Sequence, residues 1–208
     1  MKLEVQGDLA LFTRPETKAE PFSYDTMTFT AAKGVIESVY WHPGVRVDVH
    51  SVLVLNPIER LSITRNMVKS RAGNKPIVIE RDRTQRHHSL LKNVRYVIDF
   101  SLYAESEISK HVGIMERRID RSQCFVQPFL GCKEYAVSYF GLPRENQDPH
   151  PSLMGRRDMG FMPYQIDYLP DKKGNIAWKE GDKFVKGFAK PVFKHFAMND
   201  GMIRLVEM

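Results

Sequence analysis

The sequence predicts an α+β fold in which two amphipathic helices alternate with strands. Two observations carry this prediction: apolar residues recur at helical spacing in two segments, and neighbouring segments alternate apolar and polar residues with the period of a strand. A length of 208 residues allows one large domain or two small ones with a sizeable core. Hydrophobic residues at 42% and charged residues at 27% exclude a collagen-like fibre, a coiled coil and a disordered tail.

A strand, a helix and a bent strand are predicted first along the chain. Residues 2–6 alternate like a strand, and a helical stripe follows, made of Ala32, Val35, Ile36 and Val39. Thr28 or Thr30 is the expected cap of that helix, which ends before Pro43. Alternation returns at residues 45–49 and then slips by one position, which predicts a β-bulge near residues 50–51.

Further strands and a second helix complete this part of the chain. Leu61 and Ile63 indicate an antiparallel partner for the bent strand, and residues 94–100 alternate again. The second helix has Ser109 as its predicted N-cap and the apolar positions Ile108, Val112, Met115 and Ile119. Strand signals return before residue 140. The order predicts a ferredoxin-like, or RNA-recognition-like, βαββαβ domain over residues 1–140.

A small antiparallel β-sheet domain is predicted over residues 141–208. The polar segment 141–163 contains four prolines and is typical of a boundary or a long surface excursion. Beyond it, the turn sequence at residues 171–175 predicts a hairpin between its flanking strands. A second turn at residues 199–201 separates two further predicted strands.

Positive charge is concentrated in one segment. The chain has 31 Lys and Arg against 25 Asp and Glu, a net charge of +6, which favours anionic partners. Between Arg60 and Arg95, ten basic residues stand against Glu80 and Asp82, so this segment carries +8 and the remaining chain −2. The segment fits either a solvated, mobile basic loop or a surface that follows nucleic-acid phosphates.

Several classes of protein and site are excluded. No apolar run approaches the roughly 20 residues that span a bilayer, and residues 1–5 lack the apolar core of a secretion signal, so we expect a cytoplasmic protein with no membrane partner. Cys124 and Cys132 fit neither a disulfide framework nor the spacing of a zinc site, and we expect buried thiols. Because the carboxylates are scattered and no His/Asp pattern accompanies them, we expect no metal site.

The dipeptide Lys110-His111 is the best remaining candidate for chemistry. It stands at the start of the second helix, where unpaired backbone N–H groups and the positive helix end attract a phosphate. An imidazole at that position tends to stay neutral near pH 7. A dipeptide of this kind is also common on ordinary helix surfaces, and Tyr40 and Trp41 have an equally simple interpretation as core aromatic residues.

Seven segments, taken in order, carry a resemblance to a known family. They are ALFTRP at 10–15, SYD at 23–25, AAKGVIESVYWHP at 31–43, VLNPI at 54–58, RTQR at 83–86, KH at 110–111 and QCFVQPFLGCKEY at 123–135. Together they resemble the CRISPR-associated Cas-five protein of subtype I-C, also called the Dvulg subtype, within the repeat-associated (RAMP) superfamily. The similarity runs nearly from end to end of the chain.

This resemblance implies a function. Members of the subtype are metal-independent endoribonucleases that need no cofactor, cut CRISPR precursor RNA within the repeat at the hairpin base, and remain on the 5′ handle within the type I-C interference complex. The family's catalytic Tyr matches Tyr40, and its Lys-His pair matches Lys110 and His111, with Ser109 in place of the common Gly. The implied partners are CRISPR repeat RNA and the backbone and large subunits of that complex, with duplex DNA as a further candidate.

The expected chemistry follows from RNA itself, because RNA carries its own nucleophile, the 2′-hydroxyl. A protein has to remove that proton, align the oxygen with the phosphorus and stabilise the developing charge. We therefore expect His111 as general base, Lys110 as clamp on the phosphate, and Tyr40 as orienting donor or acid, with the assignment of acid and base between Tyr40 and His111 open. The products are then a 2′,3′-cyclic phosphate and a 5′-hydroxyl.

Basic side chains outside this group are the expected RNA-binding residues. They are Lys33, Arg65, Lys69, Arg71, Arg83, Arg86, Arg117 and Arg118. The alternative is a non-catalytic subunit that binds the crRNA 5′ handle within the same complex. Retention of Tyr40 together with Lys110-His111 favours the enzyme, provided that the end of the first helix meets the start of the second.

Overall fold

The structure is a computed structural model that describes residues 1–17, 19–70, 73–74, 76–180 and 183–206. The helices and strands of these residues are β1 (Lys2–Ala10), α1 (Phe29–Val39), β2 (Arg46–Val54), β3 (Glu59–Val68), α2 (Ile79–Asp82), β4 (Arg83–Tyr103), α3 (Ile108–Asp120), β5 (Tyr139–Gly141), β6 (Arg156–Pro170), β7 (Ile176–Glu180), β8 (Lys183–Asn199) and β9 (Met202–Leu205). The protein is α+β, mostly antiparallel sheet with few helices, as predicted.

The strands of the described residues join in a single antiparallel sheet. Its order is β5-β1-β4-β2-β9-β8-β6, with β3 added to β4 and β7 added to β8. The predicted domain boundary at residue 140 falls within β5, and β9 connects β2 to β8, so the sheet continues from one predicted unit into the other. The division into two domains stays a prediction.

Helix α1 packs on the sheet through the predicted apolar stripe. Thr28 is its N-cap, and the Thr28 hydroxyl accepts a hydrogen bond from the Ala31 N–H at 3.2 Å. Ile36 and Val39 are fully buried, and burying side chains of this size contributes about 1.5–3 kcal/mol each. The helix ends at Val39, with Tyr40 as its C-cap, so the packing of α1 fixes where Tyr40 stands.

Strand β2 is bent where the sequence predicts, but its partners differ from the prediction. The pairing of β2 with β4 shifts register between Val49 and Ser51, which confirms the bulge. The expectation that Leu61 and Ile63 pair with β2 is wrong, because Leu61 pairs with Leu90 of β4 instead. The reason is that β4 and β9 already occupy the two edges of β2.

Much of the basic segment is a two-stranded ribbon in the described residues, rather than a loop. β3 pairs with the first part of β4 from Glu59↔Lys92 to Val68↔Arg83. Much of β3 is exposed at its far end, where Met67 and Val68 are among the exposed apolar residues. The positive charge is therefore displayed on paired strands.

The turn at residues 171–175 forms, but it does not join two paired strands. Both β6 and β7 pair with β8, and Pro170 and Ile176 both stand opposite Gly187, so the turn is an excursion along one edge of β8. The predicted hairpin is wrong because β8, with 17 residues, is long enough to pair with both strands in succession. The second predicted turn is confirmed: Asp200 and Gly201, with φ of 48° and 79°, connect β8 to β9.

Cysteine burial also differs from expectation. Cys124 is exposed and Cys132 is half-buried, because the chain crosses the surface after α3. Phe125 is held there by hydrogen bonds from its N–H to the carbonyls of Ser38 and Val39 at 2.9 and 3.2 Å. No helix in the described part of the chain has the length and apolar character needed to cross a bilayer.

Candidate active site and nucleic-acid interface

Tyr40 and His111, 71 positions apart, meet in a buried hydrogen bond. The Tyr40 hydroxyl lies 2.7 Å from His111 Nδ1, and the two residues are only 7% and 6% exposed. Tyr40 stands at the end of α1, where its N–H donates to the Ile36 carbonyl at 3.0 Å. His111 lies in the first turn of α3. The structure thus brings together two of the three predicted catalytic side chains.

Arg118 holds this junction of the two helices in place. Its guanidinium donates to the Val39 carbonyl at 2.6 Å and lies over the Tyr40 ring, 5.2 Å from the ring centre. The side chain therefore satisfies a carbonyl at the end of α1, where cations are favoured by the helix dipole. Arg117, the other predicted RNA-binding residue of α3, is exposed.

Lys110 stands apart from the Tyr40–His111 pair. Its ammonium is exposed and binds the Glu107 carboxylate at 3.0 Å. That hydrogen bond holds the pKa of Glu107 below its ordinary value. Because the pair is exposed and water screens its charges, little free energy is needed to separate it.

The N-terminus of α3 differs from the predicted anion site. Its N-cap is Glu107, with φ of 52° and no capping hydrogen bond from its side chain, so the prediction of Ser109 is wrong. The backbone N–H groups of Lys110 and His111 both donate to the Glu107 carbonyl, at 3.0 and 3.2 Å. The helix starts early enough to use these two amides internally, and they are not available to a phosphate.

His42 is the residue that the sequence analysis missed. Its ring centre lies 4.7 Å from that of His111, and its Nδ1 lies 2.6 Å from the Pro43 carbonyl oxygen. A carbonyl only accepts, so Nδ1 carries the hydrogen and the Nε2 of neutral His42 has a free lone pair. It stands two residues after Tyr40, just beyond the end of α1.

An open cleft of about 870 Å³ adjoins these two imidazoles. This volume is in the range of small-molecule sites. Its charged and aromatic lining includes His42, Arg46, Tyr103, Glu105, Glu107 and His111. Because Tyr40 occupies Nδ1 of His111, the ring nitrogen left for a substrate is Nε2. The cleft thus combines two imidazoles with a guanidinium, groups that transfer protons and bind phosphate.

The β3–β4 ribbon gathers part of the predicted RNA-binding set. Arg65 and Arg86 stand directly opposite each other, an arrangement of like charges that is destabilising without an anion nearby. Arg65 lies 3.4 Å from the Glu134 carboxylate, and Arg86 donates to the Ala19 carbonyl at 2.7 Å. Arg83, three positions from Arg86, belongs to the other face of the ribbon.

The remaining predicted RNA-binding residues are spread over the molecule. Lys69 follows directly after β3, and its N–H donates to the Asp82 carbonyl at 3.0 Å. Lys33 lies on α1 and forms an i,i+4 pair with Glu37 at 3.9 Å. Arg71 lies outside the described residues. Within the described ranges, no group of three or more His, Cys, Asp or Glu side chains is arranged to hold a metal ion.

Comparison with known proteins places the chain in one family. The sequence profile described as CRISPR-associated protein (Cas_Cas5) matches residues 1–205. A protein of Thermus thermophilus named CRISPR pre-crRNA endoribonuclease Cas5d is 31% identical, over 99% of this chain and 90% of that protein. A protein of the same name from Mannheimia succiniciproducens is 34% identical, over 81% of this chain and 85% of that protein.

A solved structure supports the fold. It is described as a CRISPR-associated protein, and its TM-score with this chain is 0.67 at 22% sequence identity, over 99% of this chain and 91% of its own. The profile match over almost the whole length and the two relatives above 30% identity agree. The chain therefore belongs to the CRISPR-associated Cas5 family, in its subtype I-C branch.

Proposed function

We propose that this protein is an endoribonuclease that cleaves CRISPR precursor RNA within the repeat, at the hairpin base, without a metal ion. Both curated relatives are named for pre-crRNA cleavage. The observation that carries the proposal is that His42 and His111 line one cleft with their rings 4.7 Å apart, while a buried hydrogen bond of 2.7 Å from Tyr40 orients His111. Two imidazoles able to exchange protons therefore lie together at the cleft, and cleavage by a 2′-hydroxyl requires one base and one acid.

His42 is the proposed general base. The Pro43 carbonyl fixes its tautomer with the hydrogen on Nδ1, so neutral His42 presents an unprotonated Nε2. Among the described residues, none forms a hydrogen bond with His42 Nε2. It takes the proton of the 2′-hydroxyl, and the oxygen attacks the adjacent phosphorus. This assignment replaces His111 as the base that the sequence analysis expected.

His111 is the proposed general acid, and Tyr40 is its positioning residue. A phenol donates readily to an imidazole nitrogen, so neutral His111 accepts at Nδ1 and keeps its hydrogen on Nε2, with no lone pair towards the cleft. When His111 is protonated, the same hydroxyl accepts from Nδ1 and the bond persists. Protonated His111 then gives its Nε2 proton to the leaving 5′-oxygen, and the products are a 2′,3′-cyclic phosphate and a 5′-hydroxyl.

Lys110 and Arg46 are the proposed groups that stabilise charge on the phosphate. Arg46 lines the cleft at the start of β2. Lys110 reaches a phosphate near His111 when its ammonium leaves the exposed Glu107 carboxylate, at low cost. A cation beside the non-bridging oxygens favours the transition state, in which their charge increases.

The RNA is proposed to extend from the cleft over basic surface, with the cleaved product kept through its 5′ handle. The β3–β4 ribbon supports this, because it places Arg65 and Arg86 directly opposite each other, and guanidinium groups bind phosphate through charge-assisted hydrogen bonds. Retention of the handle is what joins this subunit to the backbone and large subunits of the type I-C interference complex. Duplex DNA is a further proposed ligand of the same basic surface.

The finer architecture belongs to the same proposal. We infer a ferredoxin-like unit over residues 1–140, supported by the strand order β5-β1-β4-β2 and by one helix after β1 and one after β4. The ribbon formed by β3 and the start of β4 is then an addition to that unit. Residues 141–208 form the proposed second unit, which continues the sheet through β9.

One assay tests the function. The purified protein is incubated with the repeat RNA of its own locus in excess chelator, and the product ends are mapped. We expect a single cut with a 2′,3′-cyclic phosphate, and no cut in the same RNA carrying a 2′-deoxy sugar at the scissile nucleotide. Tight binding without cleavage supports instead the non-catalytic 5′-handle-binding subunit, and cleavage of the 2′-deoxy RNA contradicts the mechanism.

A further inference from the structure

Strand β8 carries aromatic and basic side chains in alternation on one face. Phe184, Lys186, Phe188 and Lys190 occupy every second position, so they share a face of the strand, with about 6.8 Å between successive members. We name these four residues the Phe/Lys face. All four are exposed, Phe184 to 80% and Phe188 to 41%. β8 contains four lysines and neither Asp nor Glu.

The opposite face of β8 has a different character. There, Tyr168 and Trp178 stack with ring centres 5.3 Å apart. Trp178 also covers Gly187, since a Cβ at Gly187 would lie 2.6 Å from the indole ring. The aromatic rings on that side are thus packed against one another. Phe184 and Phe188, by contrast, stack on no other aromatic ring of the described residues, and their ring faces are open.

The Phe/Lys face continues along β8 towards helix α1. Lys194, on the same side of the strand, places its ammonium 4.1 Å from the centre of the Tyr164 ring. Tyr164 in turn lines a small groove with Lys33 of α1. Lys33 precedes Tyr40 by seven residues, about 10 Å along the helix axis. Lysine and aromatic side chains therefore extend from α1 onto β8, with Asp48 as the carboxylate of the groove between them.

We propose that the Phe/Lys face binds single-stranded RNA that flanks the repeat hairpin, a proposal that rests on the endoribonuclease function above. Aromatic rings alternating with cations are what sequence-independent single-strand binding requires, because every base has a π-face and every nucleotide a phosphate. Phe184 and Phe188 stack on bases, and Lys186 and Lys190 contact phosphates. The carboxylate in register is Asp167, opposite Lys190, and it already accepts a hydrogen bond from Gln165 at 2.7 Å.

A protein partner fits this face less well. The buried centre of a protein–protein interface is depleted in lysine, because desolvating an ammonium is costly. Here lysines alternate with the aromatic residues and cannot be confined to a rim. A polyanion instead matches both components at once, which is why we assign the face to RNA.

The test compares two RNAs, the repeat hairpin alone and the same hairpin with single-stranded uridine extensions, in fluorescence anisotropy titrations at several salt concentrations. We expect wild type to bind the extended RNA more tightly. Phe184→Ala with Phe188→Ala weakens binding of the extended RNA by about fivefold or more per aromatic ring. Lys186→Gln with Lys190→Gln lowers the salt slope by about 1.4 units. Binding of the unextended hairpin stays unchanged.

Two matched controls separate this face from general charge and hydrophobicity. Lys172→Gln with Lys173→Gln removes two exposed lysines in the turn beside β7, and Phe161→Ala removes an exposed aromatic residue on the opposite face. Neither is expected to affect the preference for extended RNA. Thermal unfolding of each variant checks that the protein remains folded.

The outcomes separate this proposal from the enzyme proposal. The assignment of the face is overturned if wild type binds both RNAs with equal affinity, or if the control substitutions weaken binding as much as the substitutions in the Phe/Lys face. It is also overturned if the Phe/Lys variants lose subunit assembly while their RNA affinity is unchanged. A preference for extended RNA that depends on the Phe/Lys face, in a protein that cuts neither RNA, supports the face and overturns only the nuclease function.

Discussion

The Glu4 cluster and the Tyr40 cluster both join distant segments through buried polar side chains, but only the second borders an open cleft. Glu4 of β1 is fully buried and accepts hydrogen bonds from Arg95 at 2.9 Å and from the Arg144 backbone and side chain at 2.9 and 2.8 Å. Tyr40 and His111 share one hydrogen bond, and His111 together with His42 faces the cleft. In the Glu4 cluster, the carboxylate is fully hydrogen-bonded within the protein. In the Tyr40 cluster, ring nitrogens of the two histidines remain available to a substrate.

This difference is the reason that we propose a structural role for the Glu4 cluster and a chemical role for the Tyr40 cluster. Burial raises the pKa of Glu4, but hydrogen bonds from Arg95 and Arg144 outweigh that effect and hold it below its ordinary value of 4.5. A carboxylate with its lone pairs so engaged does not exchange protons with a ligand. In the Tyr40 cluster, the partners fix the orientation of the imidazoles and leave one nitrogen of each to do chemistry.

The largest expected effect is on catalysis. Replacing His111 with Ala removes the proposed acid and slows single-turnover cleavage by about 10²–10⁴-fold, with RNA affinity largely kept. His150→Ala is the matched control, because His150 is exposed and binds Ser152 outside the cleft. Cleavage at the wild-type rate by His111→Ala would remove this residue from the mechanism.

The second effect is on stability and belongs to the Glu4 cluster. Glu4→Gln leaves two guanidinium groups without their buried carboxylate and lowers the free energy of unfolding by about 3–5 kcal/mol. The folded fraction should cleave RNA at the wild-type rate. Glu134→Gln, which removes an exposed pair with Arg65, is the control and should cost at most about 1 kcal/mol. If urea unfolding shows equal losses of unfolding free energy for both variants, the burial of Glu4 adds no stability beyond that of an exposed pair.

A smaller effect distinguishes positioning from proton transfer by Tyr40. Tyr40→Phe keeps the ring under Arg118 and removes only the hydroxyl that orients His111. We expect about a tenfold slower cleavage, equivalent to the loss of one hydrogen bond. A loss of about 10²-fold or more would instead identify Tyr40 as the acid, and equal rates for wild type and variant would exclude both roles.

The smallest effect is the pH dependence that Glu4 adds to stability. The pKa of Glu4 is lowered on folding, so its contribution is present above the ordinary value of 4.5 and is lost as the pH falls through the lowered pKa. Wild type should therefore lose stability on acidification below that value more steeply than Glu4→Gln. Parallel curves in urea unfolding from pH 7 to pH 3 would contradict this linkage.

Local features of the fold follow from the sequence, and long-range ones do not. The stripe of α1, the cap at Thr28 and the bulge at Ser51 depend on residues a few positions apart, and spacing alone predicts them. The pairing of β3 with β4 and the use of β8 by both β6 and β7 depend on which strand edges are unoccupied, which no local pattern records.

The candidate site shows the same division. The family motif identifies Tyr40 and His111, but it does not report that Lys110 binds Glu107 or that Arg118 secures the end of α1. His42 was missed because its proposed role as a base depends on two properties of the folded chain. These are a ring contact with His111, 69 positions away, and a tautomer set by the Pro43 carbonyl. Neither property has a sequence signature.

The most direct test of the two-imidazole mechanism is the pH dependence of single-turnover RNA cleavage in chelator, for wild type, His42→Ala and His111→Ala. A base must be deprotonated and an acid protonated, so we expect a bell-shaped profile for wild type. His42→Ala should lose the rise of the rate on the acidic side, and His111→Ala its fall on the alkaline side. Two variants that both retain the complete bell would contradict the mechanism.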